Sequence, residues 1–411
     1  MCDRSLIMLM LAMSVCPSVI SFARAADWPQ WRGLNRDGVA SAEVTTWPES
    51  LTKRWSVEVG AGHSGPLLVG NRVFTLSRSH DAEVVQARKL SDGAVLWTQQ
   101  YPASAELDPA VAWHGISPKS TPLFADDRLY TFSINGIVHC WNATTGKPIW
   151  ERSFAKTYSK TWPLYGTATS PIVHDGRLIV WVGGHDRGAL TAFDAKTGNS
   201  AWSLPIDGPS YASPVIAKIA GREQLVTLSQ RFLVGVDPRS GKELWRKPFV
   251  TGYDQNSVTP LIHGNRLIYS GYQKSLYAVK LTTEGRSFRL SDAWELREHP
   301  LYMSSPVRIG ERLFALSMAN GGSLIAVDLN DGSLLWQQPR FGEYAALVAV
   351  GGHLLVQTDA GKLIVIPATA NRYEPLRSYD VAASRTWAHP AVAGKHILIK
   401  DESHLTCWLV P

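Results

Sequence analysis

Cysteine is scarce: the 411-residue chain has four. Two of them, Cys2 and Cys16, fall within the first 25 residues. Cys140 and Cys407 remain, too few for a disulfide scaffold, and both sit in strand-like runs where a buried free thiol is expected. An adjacent Cys-Cys pair and a C-x-x-C-H haem attachment are both missing. So are G-x-S-x-G, H-E-x-x-H and any glycine-rich phosphate loop, which removes the commonest hydrolase, zinc-protease and nucleotide signatures. The twelve histidines are scattered rather than set at metal-ligand spacing. Clustered Lys and Arg are lacking too, and the net charge of +6 is mild for this length, so nucleic acid is not an expected partner. Beyond the N-terminus no apolar run approaches about 20 residues, so no transmembrane helix is expected.

The first 25 residues read as a secretory leader. Arg4 supplies a positive start, Leu6 to Ile20 is largely apolar, and Ala23-Arg24-Ala25 is an A-x-A cleavage site. The mature chain then begins near Ala26 and is exported, to the periplasm or beyond. Lipid anchoring at Cys16 is not expected, because Val15 before it is bulkier than such processing prefers.

Sixteen tryptophans and 33 glycines are the positive outliers. They are ordered. Phe193-Asp194-Ala195-Lys196-Thr197-Gly198-Asn199-Ser200-Ala201-Trp202 reads as a strand, an Asp-to-Gly turn and a second strand. The same Gly-to-Trp offset of four recurs at Gly93/Trp97, Gly146/Trp150, Gly241/Trp245 and Gly332/Trp336. Landmark tryptophans fall at Trp55, Trp97, Trp150, Trp202, Trp245, Trp294 and Trp336, with gaps of 42 to 53 residues. A short Ser/Thr-Pro opening follows most of them, at Pro66, Pro122, Pro171, Pro214, Pro260 and Pro306, with His389-Pro390 as a variant. Ala345-Ala346-Leu347 fills the slot in a degenerate unit.

A period in the forties with four short strands per unit predicts an all-β, eight-bladed β-propeller of antiparallel blades. The last segment, from Trp387 on, supplies three strands and no tryptophan strand. The missing one is Lys53–Val57, so the ring is expected to close by pairing the N-terminal strand with the C-terminal blade, Trp55 beside Leu405. The expected division is a leader at 1–25, a lead-in segment at 26–52 and one propeller at 53–411. The periodic tryptophans are expected to be inter-blade core.

The A-x-D-x-x-[TS]-G-x-x-x-W repeat, with the segment Asp27-Trp28-Pro29-Gln30-Trp31-Arg32-Gly33, resembles the pyrroloquinoline-quinone (PQQ)-type propellers. That group includes quinoprotein dehydrogenases and the shorter scaffold lipoprotein of the outer-membrane β-barrel assembly machinery. For the dehydrogenases the resemblance implies a Cys-Cys pair, calcium-binding Glu/Asn/Asp and a catalytic Asp. This chain lacks the pair, and it is similar to the scaffold in size and blade count.

Segments just before each innermost strand open onto one face of a propeller. They carry His63, Trp113 and His114, Trp162 and Tyr165, Tyr211, Tyr253, Tyr302, Tyr344, and Trp387 with His389. Connections between second and third strands bring Arg78, His185, Arg187, Arg231 and Lys274 to the same face. Such a rim stacks sugars, clamps a peptide or holds a planar cofactor, or it packs inertly. The expectation is a non-catalytic binding or scaffolding module for a protein, peptide or polysaccharide, as a monomer or a subunit of an envelope assembly. No cofactor is expected on this reading. The alternative is a quinoprotein dehydrogenase holding PQQ with calcium.

Overall fold

The computed structural model describes residues 27–41, 44, 46–104, 114–154, 156–157, 163–285 and 287–411. The leader and two predicted face residues, Trp113 and Trp162, lie outside them. The described strands form eight four-stranded sheets, each antiparallel from its inner to its outer strand. Numbered from the innermost strand outward, blades 1 to 7 span residues 67–102, 123–153, 172–205, 215–248, 261–296, 307–338 and 345–380. Blade 8 consists of 391–409 and, as its outermost strand, Thr52–Glu58. The ring is closed as the sequence predicts, with one difference of register: Trp55 lies opposite Cys407, and Leu405 pairs with Val57. No helix among the described residues is long and apolar enough to cross a membrane.

The repeat turns out to be an inter-blade joint. Asp194 accepts the backbone N–H groups of Lys196 and Thr197 at 3.1 and 2.8 Å, which holds the turn. Asn142 does the same for Thr144 and Thr145. The closing Gly198 has a φ of +69°, and a methyl there would sit 2.6 Å from the ring of Trp150, in the preceding blade. The same contact recurs for Gly146 on Trp97, Gly241 on Trp202 and Gly332 on Trp294. Each of these tryptophans therefore lies on the next blade's glycine, and their Nε1–H groups, like that of Trp336, donate into the next blade. Trp97 reaches Ala143 O, Trp150 reaches Ala195 O, and Trp336 reaches Ala370 O, at 3.0 to 3.1 Å. Trp245 departs from the pattern, because blade 5 has the long strands Lys274–Glu284 and Ser287–Leu296 in place of a tight turn. It bonds Gln224 Oε1 in its own blade instead.

The Ser/Thr-Pro openings are a second joint, near the axis. Gly65 N–H donates to Thr121 Oγ1, Thr121 N–H to Ser170 Oγ, Ser170 N–H to Ser213 Oγ and Thr259 N–H to Ser305 Oγ, at 2.9 to 3.1 Å. Each hydroxyl satisfies a buried donor of the blade before it, for a net gain of about 1 kcal/mol per bond. Between the blades lie the apolar clusters, built from inner- and middle-strand residues such as Phe74, Val85, Phe124 and Leu129. Cys140 and Cys407 are free and buried, and burial pushes both thiols up to about 12, so they stay protonated.

Candidate functional site: an aromatic cup with a closed floor

The lead-in segment occupies the channel. Its two limbs lie toward the turns that join first and second strands: Asp27 accepts from Gly70 N–H at 2.9 Å, and Val44 O lies against Gly351. Between them the chain rises to the level of the strand starts. Trp28 and Leu68 exchange backbone hydrogen bonds, Phe124 N–H donates to Pro29 O, and Ala40 N–H donates to Ala349 O. Trp31 Nε1–H donates to Thr259 Oγ1 at 3.0 Å. The Arg32 guanidinium donates to Ser305 O, Pro306 O and Asp37 O, and that of Arg36 to Ser170 O, Pro171 O and Gln30 Oε1. One short segment thus ties blades 1, 2, 3, 5, 6 and 7 together and stoppers the axis. Both arginines are 2 % exposed, and burial lowers them to about 10 and about 9. At neutral pH they remain charged, held by carbonyl oxygens rather than carboxylates.

Above this stopper two connected chambers open, of about 150 and 750 Å³. Both are lined by His114, Tyr165, Gln255, Tyr302, Met303 and Trp387. The inner chamber adds Trp31, His63, Lys119, Tyr211 and Tyr344. The outer one adds Tyr253, Tyr272, Leu164, Leu316, Met318 and Glu343. The rings brace one another: Tyr344 stacks on Trp387 at 5.1 Å, and His114 meets Tyr165 edge-on at 4.7 Å. Tyr165 packs against Tyr211 at 5.5 Å and Tyr272 against Tyr302 at 5.1 Å. Gln255 Nε2–H donates to Tyr165 Oη at 2.6 Å, and Tyr165 N–H donates to Tyr211 Oη. Tyr253 stands at the mouth, 74 % exposed, with a φ of +57° that is costly for a non-glycine residue.

Seven residues from the predicted segments, His63, His114, Tyr165, Tyr211, Tyr302, Tyr344 and Trp387, line the inner chamber together. Of the other described ones, Tyr253 lines the outer chamber and the rest lie elsewhere. His389 sits beneath the floor, stacked on Trp28 and edge-on to Trp31, where burial lowers it to about 3. Arg78 is buried and donates to Ala103 O and Ile116 O. His185 lies on an outer rim with Asp254 at 3.2 Å and Asp186 at 3.4 Å, and Asp186 pairs with Arg231. Arg187 is exposed at the start of its strand. Lys274 lines a separate polar hollow with Lys247, Asp292 and Glu295.

Sequence reasoning missed Lys119, Gln255, Tyr272, Met303, Met318 and Trp31. The inner chamber is cationic. Burial lowers Lys119 to about 8, and Lys119 in turn helps hold His63 neutral, at about 3, behind the leading effect of burial. No Asp or Glu belongs to the inner chamber's lining among the described residues.

The family described as outer membrane protein assembly factor BamB matches residues 81–338, more than half of the chain. The chain belongs to this family. Within it, the outer membrane protein assembly factor BamB of Yersinia pestis is 24 % identical over 383 residues, which cover 86 % of this chain and 87 % of that one. Among solved structures, BamB from Moraxella catarrhalis superposes with a TM-score of 0.61 at 14 % identity, covering 88 % of this chain and 98 % of that one. The quinohemoprotein alcohol dehydrogenase from Comamonas testosteroni superposes with a TM-score of 0.72 at 13 % identity, covering 94 % of this chain and 81 % of that one. At such identities the structures share the fold with this chain, a PQQ-like propeller.

Proposed function

We propose that this protein is an exported, non-catalytic propeller that works as a binding and scaffolding module, receiving a protein, peptide or glycan through its aromatic face. The observation that carries this reading is the convergence of side chains from several blades, with Trp31 of the lead-in segment, on one closed-floored cup. Membership of a family described by outer-membrane protein assembly supports a partner in the bacterial envelope. The division proposed is a leader at 1–25, a lead-in segment at 26–52 and the propeller at 53–411.

The alternative, a quinone-dependent dehydrogenase, asks for grouped oxygen donors on calcium beside a flat slot. Among the described residues no three His, Cys, Asp or Glu side chains come together to hold a metal ion. Glu343 is the one carboxylate on the described lining of the cup. The described residues offer calcium no grouped carboxylates, which favours the binding reading.

Capture from the native envelope with the wild-type protein and with Trp387→Ala and Tyr302→Ala tests the reading. Loss of either central aromatic is expected to weaken retention of the partner at least about 10-fold, as at the buried aromatic anchors of other interfaces. Unchanged retention in both variants would end the proposal. A parallel titration with PQQ and calcium, read by dye reduction with alcohols or sugars, is expected to stay flat. Saturable, substrate-dependent reduction would establish the dehydrogenase instead.

A further inference from the structure

The proposed binding reading leaves the kind of ligand open, and the cup's own chemistry narrows it. The floor is shut by Trp31 and the buried Arg32, so a chain cannot thread the axis and only an end can reach the inner chamber. That chamber, about 150 Å³, holds roughly the volume of five waters, enough for a terminal group and little more. Its charged group is Lys119, whose ammonium donates to Gly115 O at 3.0 Å and has two further protons to give. Gln255, 4 % exposed, lines the same chamber with an Oε1 that has no hydrogen-bond partner among the described residues. A cationic donor and a lone amide acceptor in one small chamber complement a carboxylate next to an N–H.

The outer chamber separates peptides from sugars. Leu164, Met303, Leu316 and Met318 are aliphatic, and two thioether chains make a wall that adapts to different apolar shapes. A sugar would present hydroxyls to these groups and leave them unpaired. A bulky apolar side chain fits them.

We infer that the cup takes the free C-terminal end of an extended peptide, its carboxylate on Lys119, its last amide N–H on Gln255 Oε1 and an apolar side chain among Leu164, Met303, Leu316 and Met318. This rests on the binding function proposed above and names the ligand for it. Among the described residues the charged and titratable groups around Lys119 are Glu83, His63 and His114, with Lys400 beyond His63, and Tyr165, Tyr211, Tyr302 and Tyr344 line the same chamber. Glu83 is committed elsewhere, accepting from Tyr101 Oη at 2.7 Å and Ile134 N–H at 2.9 Å.

The test titrates the mature chain with three peptides of about six residues, followed by tryptophan fluorescence and calorimetry. The first has a free C-terminal leucine, the second the same sequence amidated, the third a free C-terminal serine. The free leucine peptide is expected to bind at least about 10-fold more tightly than either of the others. Lys119→Met is expected to abolish the difference between free acid and amide, and Lys119→Arg to restore part of it. Affinity for the free acid is expected to hold from pH 6 to 7 and to fall as pH rises through about 8, where the ammonium loses its proton. Equal binding of the acid and amide overturns the inference while leaving a peptide site. Binding of soluble oligosaccharides with none to any peptide overturns it while leaving the aromatic face as the site. Binding by a free carboxylic acid alone, such as hexanoate, as tightly as by the peptide reassigns the cup to small acids. No binding of any of these probes, with capture from the envelope intact, also overturns it and leaves the broader reading standing.

Discussion

Replacing Arg32 by methionine is expected to lower stability by about 3–5 kcal/mol, and Arg36→Met by a similar amount. Each guanidinium is buried, and between them they satisfy Ser305 O, Pro306 O, Ser170 O and Pro171 O, at 2.5 to 3.0 Å. Methionine fills much of the volume and removes a desolvated charge, which favours the variant. Against that, carbonyls at the starts of two inner strands stay buried without their guanidinium donors, and each costs about 1–3 kcal/mol. The unpaired carbonyls win, because the protein has already met the cost of burying the charge through several short hydrogen bonds to each arginine. Lysine is a poor substitute, since one ammonium cannot span the two carbonyls the fork reaches. The measurement is the denaturation midpoint in guanidinium chloride, where a lower midpoint at unchanged slope reports stability. The double variant is expected to lose more than the two single losses added, because Arg32 and Arg36 repel each other and each single removal already gains a relief that the double variant gains only once. Neither arginine lines the cup. Weaker ligand binding in these variants would therefore report a loosened floor.

Acidification is expected to destabilise the fold well before the carboxylates alone would. His389 is buried, and burial lowers it to about 3; His139 is lowered to about 4, chiefly by burial, with Glu151 at 3.1 Å pulling the other way. The unfolded chain takes up a proton at each site near pH 6.5, and the folded chain does not until pH 3 to 4. Between those limits the unfolded state binds more protons, so stability falls as pH falls. At pH 4.5 each histidine is expected to have cost about 2.5 kcal/mol relative to pH 7.5. Glu83 acts with the opposite sign over its own range, since burial raises its pKa. His389→Gln is expected to flatten the dependence by about one proton's worth, measured as denaturation midpoint against pH from 7.5 to 4.5. An unchanged slope in that variant would mean that His389 takes up its proton at the same pH in the folded and the unfolded chain.

The repeat was legible because its parts act at fixed sequence offsets. Glycine-to-tryptophan spacing, the Asp turn and the Ser/Thr-Pro openings each mark a local hairpin or strand start, and eight such units impose a ring. What the spacing hid was that Gly198 and Trp202 serve different joints, one packing on Trp150 behind it and the other against the blade ahead. The aromatic rim was legible through the phase of the repeat, which fixed the residues before each inner strand. His389 shares that phase, yet the lead-in segment covers it, a long-range fact with no local signal. Lys119 and Gln255 were invisible for a related reason: their role comes from the chamber they share, not from a pattern in their own segments. Met303 and Met318 look like filler until the fold puts them on one wall. Trp245 shows the limit of the repeat itself, since a long hairpin two strands away changes its partner.

The measurement that bears most directly on the cup as the working face is site-specific photo-crosslinking in the native envelope. A photoreactive phenylalanine analogue replaces Tyr253 or Met318 at the mouth, and Val95 or Leu96 on the exposed outer strand of blade 1 serves as the comparison. All four positions are solvent-facing, so reactivity differs only with what comes to rest there. The expected result is a discrete crosslinked product from both mouth positions and none from the outer strand. Products from Val95 and Leu96 with a silent mouth would show that the blades' outer edge, and not the aromatic cup, is where this propeller meets its partner.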